Sequence, residues 1–281
     1  MRDANDIVER VGSVGPLQQL GPGARNRFVV APGDLASQLP FVLLVEDFID
    51  PGTDFHPHPH KGLETVTFVL SGTLRHGDNV GNRGMIGPGE VQWMTAGKGI
   101  VHGGQPAPGA PVHALQLWLA LPAALRNSAP GTREQRRDGA IVETSQGATV
   151  RAYGTASQSH GAAAWSRWPM TLTDVAFEAG GRCTLPLAAG ERAFVYVLSG
   201  AVAVGTGPSQ AAGSVVWLSV QATDGTIDLS ADVPSRLVLY RSPVFDEPIV
   251  ARGPFVMGSE AEIQLAIHQF QTTGFGGGPP S

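Results

Sequence analysis

Four of the eight histidines are spaced so that they could act together. His56, His58 and His60 lie in the run FHPHPHKGLET, and His102 lies in GKGIVHGG. In an extended strand, residues two apart face the same side, so His58 and His60 can point into one interior. Glu64 shares the parity of His60 and is read as facing the same way. His102 follows the turn Gly97-Lys98-Gly99 and can return a third imidazole from a neighbouring strand. Three neutral imidazoles converging in an apolar barrel suit a divalent first-row metal such as iron, zinc, nickel or copper. His56 precedes the matching register and is read as a bystander.

The elements that must position these side chains show an internal repeat. Thr67-Phe68-Val69-Leu70-Ser71-Gly72 recurs as Val195-Tyr196-Val197-Leu198-Ser199-Gly200, 128 residues later. Gly89-Glu90-Val91-Gln92-Trp93 is echoed 124 residues later by Gly213-Ser214-Val215-Val216-Trp217. Two matches in the same order at nearly constant offset indicate two copies of one β-unit. The same offsets carry His58, His60, Glu64 and His102 onto Pro186, Ala188, Arg192 and Thr226. The second copy therefore keeps the scaffold and lacks the ligands. The division is expected within Arg126 to Gly139, giving a metal-binding domain over 1–135 and a degenerate one over 136–281. Short β-rich runs are read at Phe41 to Phe48, Glu64 to Leu70, Val91 to Met94, Leu115 to Leu121, Phe194 to Leu198, Val215 to Val220 and Arg236 to Tyr240. One helix is expected over Glu260 to Phe270, with Ser259 as N-cap and Ile263, Ala266, Ile267 and Phe270 on one face. The tail GFGGGPPS is expected to be flexible.

Composition agrees with this reading. The chain has 281 residues, 37 of them Gly and 22 Pro, and only 15% are charged. Such a chain fits short strands joined by turns better than a helical bundle. The formal net charge of −5, with no uninterrupted basic cluster, argues against sequence-independent binding to nucleic acid. A single cysteine, Cys183, excludes an internal disulfide and Cys-based zinc motifs. The N-terminal residues lack the apolar run of a secretory signal and no stretch reaches membrane-spanning length, so a soluble cytoplasmic protein is the default expectation.

Gly52, five residues, His58, one residue, His60, three residues and Glu64 reproduce the first metal motif of cupins, and Gly99-x2-His102 the core of the second. Over HPHKGLETVTFVLSG (His58 to Gly72), PGEVQWMTAGKGIVH (Pro88 to His102), HALQLWLAL (His113 to Leu121) and EPIVARGPFVMGSEAEI (Glu247 to Ile263), the chain resembles the pirins, bicupins of the cupin superfamily. The resemblance implies an all-β fold of two facing jelly-roll barrels with a short C-terminal helix. It also implies one metal in the N-terminal barrel, iron first, with zinc, nickel, copper and manganese as alternatives.

In the pirins that metal is usually held by two histidines of H-P-H, a later histidine, and a glutamate two residues beyond it. The first three map onto His58, His60 and His102, whereas the glutamate position is Gly104 here. Three arrangements follow. Glu64 completes the sphere, or three histidines and waters do so with Gln105 lending an amide oxygen, or the site is vestigial. If Glu64 is not a ligand, it is the candidate catalytic base. The resemblance implies a quercetin 2,3-dioxygenase-like oxidoreductase acting on a phenolic or enolic small molecule. Its rival is a metal- or redox-responsive regulator with a protein partner, a transcription factor or a metabolic enzyme.

Gln92, Trp93, Met94, His113, Gln116 and Trp118 are candidates for the cavity mouth. His76 is expected to be exposed, and His160 and His268 have no motif support. Lys61 and Lys98 are read as solvated turn residues, and nothing marks Cys183 as reactive.

Overall fold

The computed structural model describes residues 7–154 and 165–276; His160 and the end of the glycine-rich tail lie outside them. Nearly all regular structure is β, with one long helix at Glu260–Thr273. Among the described residues, no helix is long and apolar enough to cross a membrane.

The chain forms two compact units. The histidine-bearing unit holds residues 16–138, 165–168 and 245–276. Its larger sheet runs in the order Gly131–Gln135, Val91–Thr95, Leu63–Ser71, Val112–Ala120, Phe41–Ile49, Ala24–Val30 and Gln18–Gly21. Its smaller sheet runs Phe55–His60, Ile100–Pro106, Leu74–Asp78 and Arg83–Ile86. Every pairing is antiparallel, so alternate residues of each strand face the barrel interior.

The other unit holds residues 7–15, 139–154 and 169–244 and repeats the plan, with one seven-stranded and one four-stranded sheet. Its interior is packed with Val175, Leu185, Leu187, Val195, Val197, Ile227, Leu229, Leu237 and Leu239. Pro186 pairs with Thr226 in its smaller sheet, as His58 pairs with His102. The two repeat offsets therefore map one strand pair onto the other.

The cut between the repeats falls at Asp138/Gly139, within the Arg126 to Gly139 segment, and each end of the chain is grouped with the other repeat. Val8–Ser13 adds an edge strand to the degenerate unit by pairing with Ser214–Leu218. Residues 245–276 belong instead to the histidine-bearing unit, where the Val256 N–H donates to the Lys61 carbonyl at 3.0 Å. Both exchanges depend on backbone pairing between distant segments, which a local pattern does not encode.

The helix begins where it is expected. The Ser259 hydroxyl accepts from the Glu262 N–H, Ile263 and Ala266 are buried, and Ile267 and Phe270 pack partly against Phe255 and Met257. It runs one turn further than expected, to a Gly274 cap in the left-handed region.

Candidate metal centre

His58 and His60 lie on one face of Phe55–His60, and His102 lies opposite His58 on Ile100–Pro106. One ring nitrogen from each can be chosen so that all three lie within 4.8 Å of one another. Ring centroids are 4.4 Å apart for His58 and His102 and 5.1 Å for each of the other two pairs. Trp118 meets the His60 ring edge-on at 4.8 Å and fixes its plane.

Hydrogen bonds set the tautomers. His58 Nδ1 lies 3.0 Å from the His56 carbonyl oxygen and His60 Nδ1 lies 3.3 Å from that of Pro254. A carbonyl oxygen only accepts, so Nδ1 carries the proton in both rings and Nε2 keeps its lone pair. His60 Nε2 and both ring nitrogens of His102 are buried without a partner. Leaving such atoms buried and unpaired is costly unless something binds them.

Burial keeps the rings neutral. It pushes His60 down to about 3, with the neighbouring His58 adding to the effect. Burial also lowers His102 well below the usual histidine range, and the nearby His60, His58 and His76 lower it further. His58 is lowered by burial as well. Neutral, desolvated imidazoles with free lone pairs are the donor set that a divalent transition metal takes. The residues present therefore fit such an ion.

Glu64 points away from the three imidazoles. Its carboxylate accepts from Thr95 Oγ1 at 2.6 Å, from the Arg167 N–H at 2.9 Å and from the Ser166 hydroxyl. The cause is a bend at Gly62. There φ is +79°, and a Cβ would run into the Val256 carbonyl. The bend starts a new strand at Leu63, so the parity counted from His60 no longer applies. Leu63 joins the buried apolar cluster and Thr67 faces the cavity, while Glu64 turns the other way.

Gln105 is likewise excluded. It has the opposite parity to His102, is exposed, and lines an outer groove beside Arg75 rather than the histidine cavity. His56 is exposed near Asp54, and His268 is exposed on the helix.

The histidines open on a cavity of about 370 Å³, walled by Phe28, Leu43, Val45, Ile49, Ala114 and Trp118. Of the candidates for its mouth, Gln92, Gln116 and Trp118 line it. Trp118 Nε1 donates to Gln116 Oε1 at 3.2 Å, and Gln92 Nε2 is buried without a partner. Met94 belongs to the apolar core and Trp93 does not line the cavity. His113 lies outside it, stacked on Phe48 and 2.7 Å from Glu46.

Three residues depart from expectation or escaped it. His76 is buried rather than exposed, with its ring 5.4 Å from that of His102 and its Nε2 3.3 Å from Asp78 Oδ2. Burial alone would raise the Asp78 carboxyl, but hydrogen bonds from His76, Asn82 and Thr132 hold it low, at about 2. The interval His76-x-Asp78 was the available signal, since both residues share one face of Leu74–Asp78. Lys61 is buried rather than solvated, its Nζ donating to the Lys98 carbonyl at 2.5 Å, while Lys98 is exposed. Asp47, which no motif marks, lines the cavity. Burial pushes its carboxyl up to about 7 against the opposing effect of a hydrogen bond with Asn26.

Comparison with known proteins agrees with this architecture. The Pirin family model matches residues 19–119, and the model for the Pirin C-terminal cupin domain matches residues 172–276. Pirin of Mus musculus is 32% identical over 90% of this chain and 89% of its own. A candidate quercetin 2,3-dioxygenase of Pseudomonas aeruginosa is 36% identical over 77% of this chain and 78% of its own. The crystal structure of a quercetin 2,3-dioxygenase from Acinetobacter baumannii superposes with a TM-score of 0.83 at 28% identity, covering 96% of this chain and 98% of that one. With both cupin units matched in order along nearly its whole length, the chain belongs to the pirin family.

Proposed function

We propose that His58, His60 and His102 hold one divalent transition metal, iron being the first choice. We further propose that the protein is a dioxygenase-type oxidoreductase acting on a phenolic or enolic small molecule such as a flavonol. The observation that carries this reading is the convergence of three neutral, desolvated imidazoles, two of them with unpartnered nitrogens, beside an apolar cavity that His58 and His102 line. The similarity to proteins named for quercetin 2,3-dioxygenase supplies the substrate class.

When bound, the metal supplies Lewis acidity toward an enolic oxygen and a redox centre for dioxygen chemistry. The protein supplies the rest. Phe28, Leu43, Val45 and Ile49 keep water from a flat aromatic ligand. Trp118 holds the His60 ring in place, and the carbonyls of His56 and Pro254 hold the tautomers of His58 and His60. Gln92 Nε2 offers an unused donor to a ligand carbonyl. Glu64 takes no part in proton removal, because its oxygens are engaged on the other face of the sheet.

The test is aerobic incubation of iron(II)-loaded protein with quercetin. Loss of the flavonol absorption band with one dioxygen consumed per flavonol, absent in His58→Ala, is the expected result. A fully metal-loaded protein that leaves quercetin intact would contradict the reading.

A further inference from the structure

The cavity wall carries a second polar station that the histidine centre does not use. Leu43, Val45, Asp47 and Ile49 alternate along Phe41–Ile49 and all face the cavity, so Asp47 is the one carboxylate in an otherwise apolar row. Its neighbour Glu46 points to the opposite face, where Arg27 at 2.6 Å and His113 at 2.7 Å hold it. Asn26, paired with Asp47 in the adjacent strand, hydrogen-bonds its carboxyl group and fixes its direction.

The register gives its place along the cavity. Asp47 lies opposite Ala114, whereas the His60 ring rests on Trp118, four residues away on the same strand. Four residues of β-strand span about 13 Å. Between them, one row closer to the histidines, Thr67 pairs with both Gln92 and Gln116. The cavity therefore presents His58 and His102, backed by His60, at one end, the unpartnered Gln92 donor in the middle and an acceptor at the far end. That sequence suits a planar polyphenol whose enolic end meets the histidines, whose carbonyl meets Gln92, and whose remote ring carries a hydroxyl.

Resting on the flavonol-type reading above, we propose that Asp47 is the specificity-determining residue of this cavity, its carboxylate accepting a hydrogen bond from a hydroxyl remote from the reacting end. A carboxylate among apolar walls is costly unless a donor meets it, and a charge-assisted hydrogen bond from a phenol does so.

The test compares quercetin with 3-hydroxyflavone, which keeps only the enolic hydroxyl. Binding to metal-loaded wild-type and Asp47→Asn protein is followed anaerobically by ligand absorption. The asparagine preserves the shape and the contact with Asn26. Wild type is expected to prefer quercetin, and the variant to lose about tenfold of that preference with 3-hydroxyflavone binding unchanged. The wild-type to variant affinity ratio for quercetin should also rise between pH 6 and 8, as the Asp47 carboxyl loses its proton near 7. The ratio cancels ionisation of the ligand and of the groups common to both proteins. Those groups are Glu46, Arg27 and His113 behind Asp47 and Arg75, His76, His58 and His102 elsewhere on the cavity wall. An unchanged preference at every pH would overturn the Asp47 assignment alone. Equal loss of both ligands would also overturn it, by showing a structural role. Failure of wild type to bind either flavonol would remove the flavonol reading and this assignment together.

Discussion

His58 stands directly across a strand pair from His102, their ring centroids 4.4 Å apart. In the second unit the same two positions are Pro186 and Thr226, again directly paired. Among the described residues, one scaffold thus occurs twice and the donor set once. The interior that receives imidazoles and a cavity in one unit is filled with valine and leucine in the other.

Acid should loosen the metal-free fold. His60 titrates near 6.5 when unfolded, and burial pushes it down to about 3 in the fold. Between those values the unfolded chain binds a proton that the folded chain does not, so stability falls as pH drops below about 6.5. The contribution approaches about 1.4 kcal/mol per pH unit. Thermal melts of metal-free protein at pH 7, 6 and 5 should therefore steepen in wild type relative to His60→Gln. Parallel curves would contradict the account. Bound metal should deepen the same dependence, because protons compete for the nitrogens.

Glu64→Ala should lower stability without releasing metal. It leaves the Thr95 and Ser166 hydroxyls and the Arg167 N–H without their acceptor, a loss of about 3 kcal/mol. Denaturant unfolding combined with metal analysis separates the two effects. Loss of metal from a variant that is still folded would place Glu64 in the metal sphere after all.

Gly104→Glu should strengthen metal retention at a cost in stability. Position 104 shares the parity of His102 and pairs with His76 across the ladder. A Cβ there would lie 2.9 Å from the Arg75 carbonyl oxygen and 3.6 Å from Leu74 Cδ1, so the strand must shift to admit it. The expected signature is a lower melting temperature with slower metal loss to a chelator. If loss proceeds at the wild-type rate, a missing carboxylate is not what limits affinity.

Much of this was legible in the residues, because the repeat fixes which strands correspond and H-P-H needs only strand periodicity to bring two rings together. Parity counted through Lys61 and Gly62 failed, since a bend set by the nearby Val256 backbone begins a new strand. The burial of His76 was missed although Asp78 stands two residues along the same strand, because the Thr132 hydroxyl that closes over the pair comes from a distant strand. Asp47 was missed because an acid in a β-run looks the same whether it faces solvent or a cavity. The exchanged chain ends depend on pairings such as Val8 with Leu218 and Lys61 with Phe255, which no local pattern carries.

Metal content of untagged protein tests the central claim most directly. The account predicts about one transition-metal ion per chain in wild type, and almost none in a folded His58→Ala, His102→Ala variant. Metal retained by that variant, or a wild-type protein that takes up none when offered iron(II), zinc(II) or nickel(II), would contradict it.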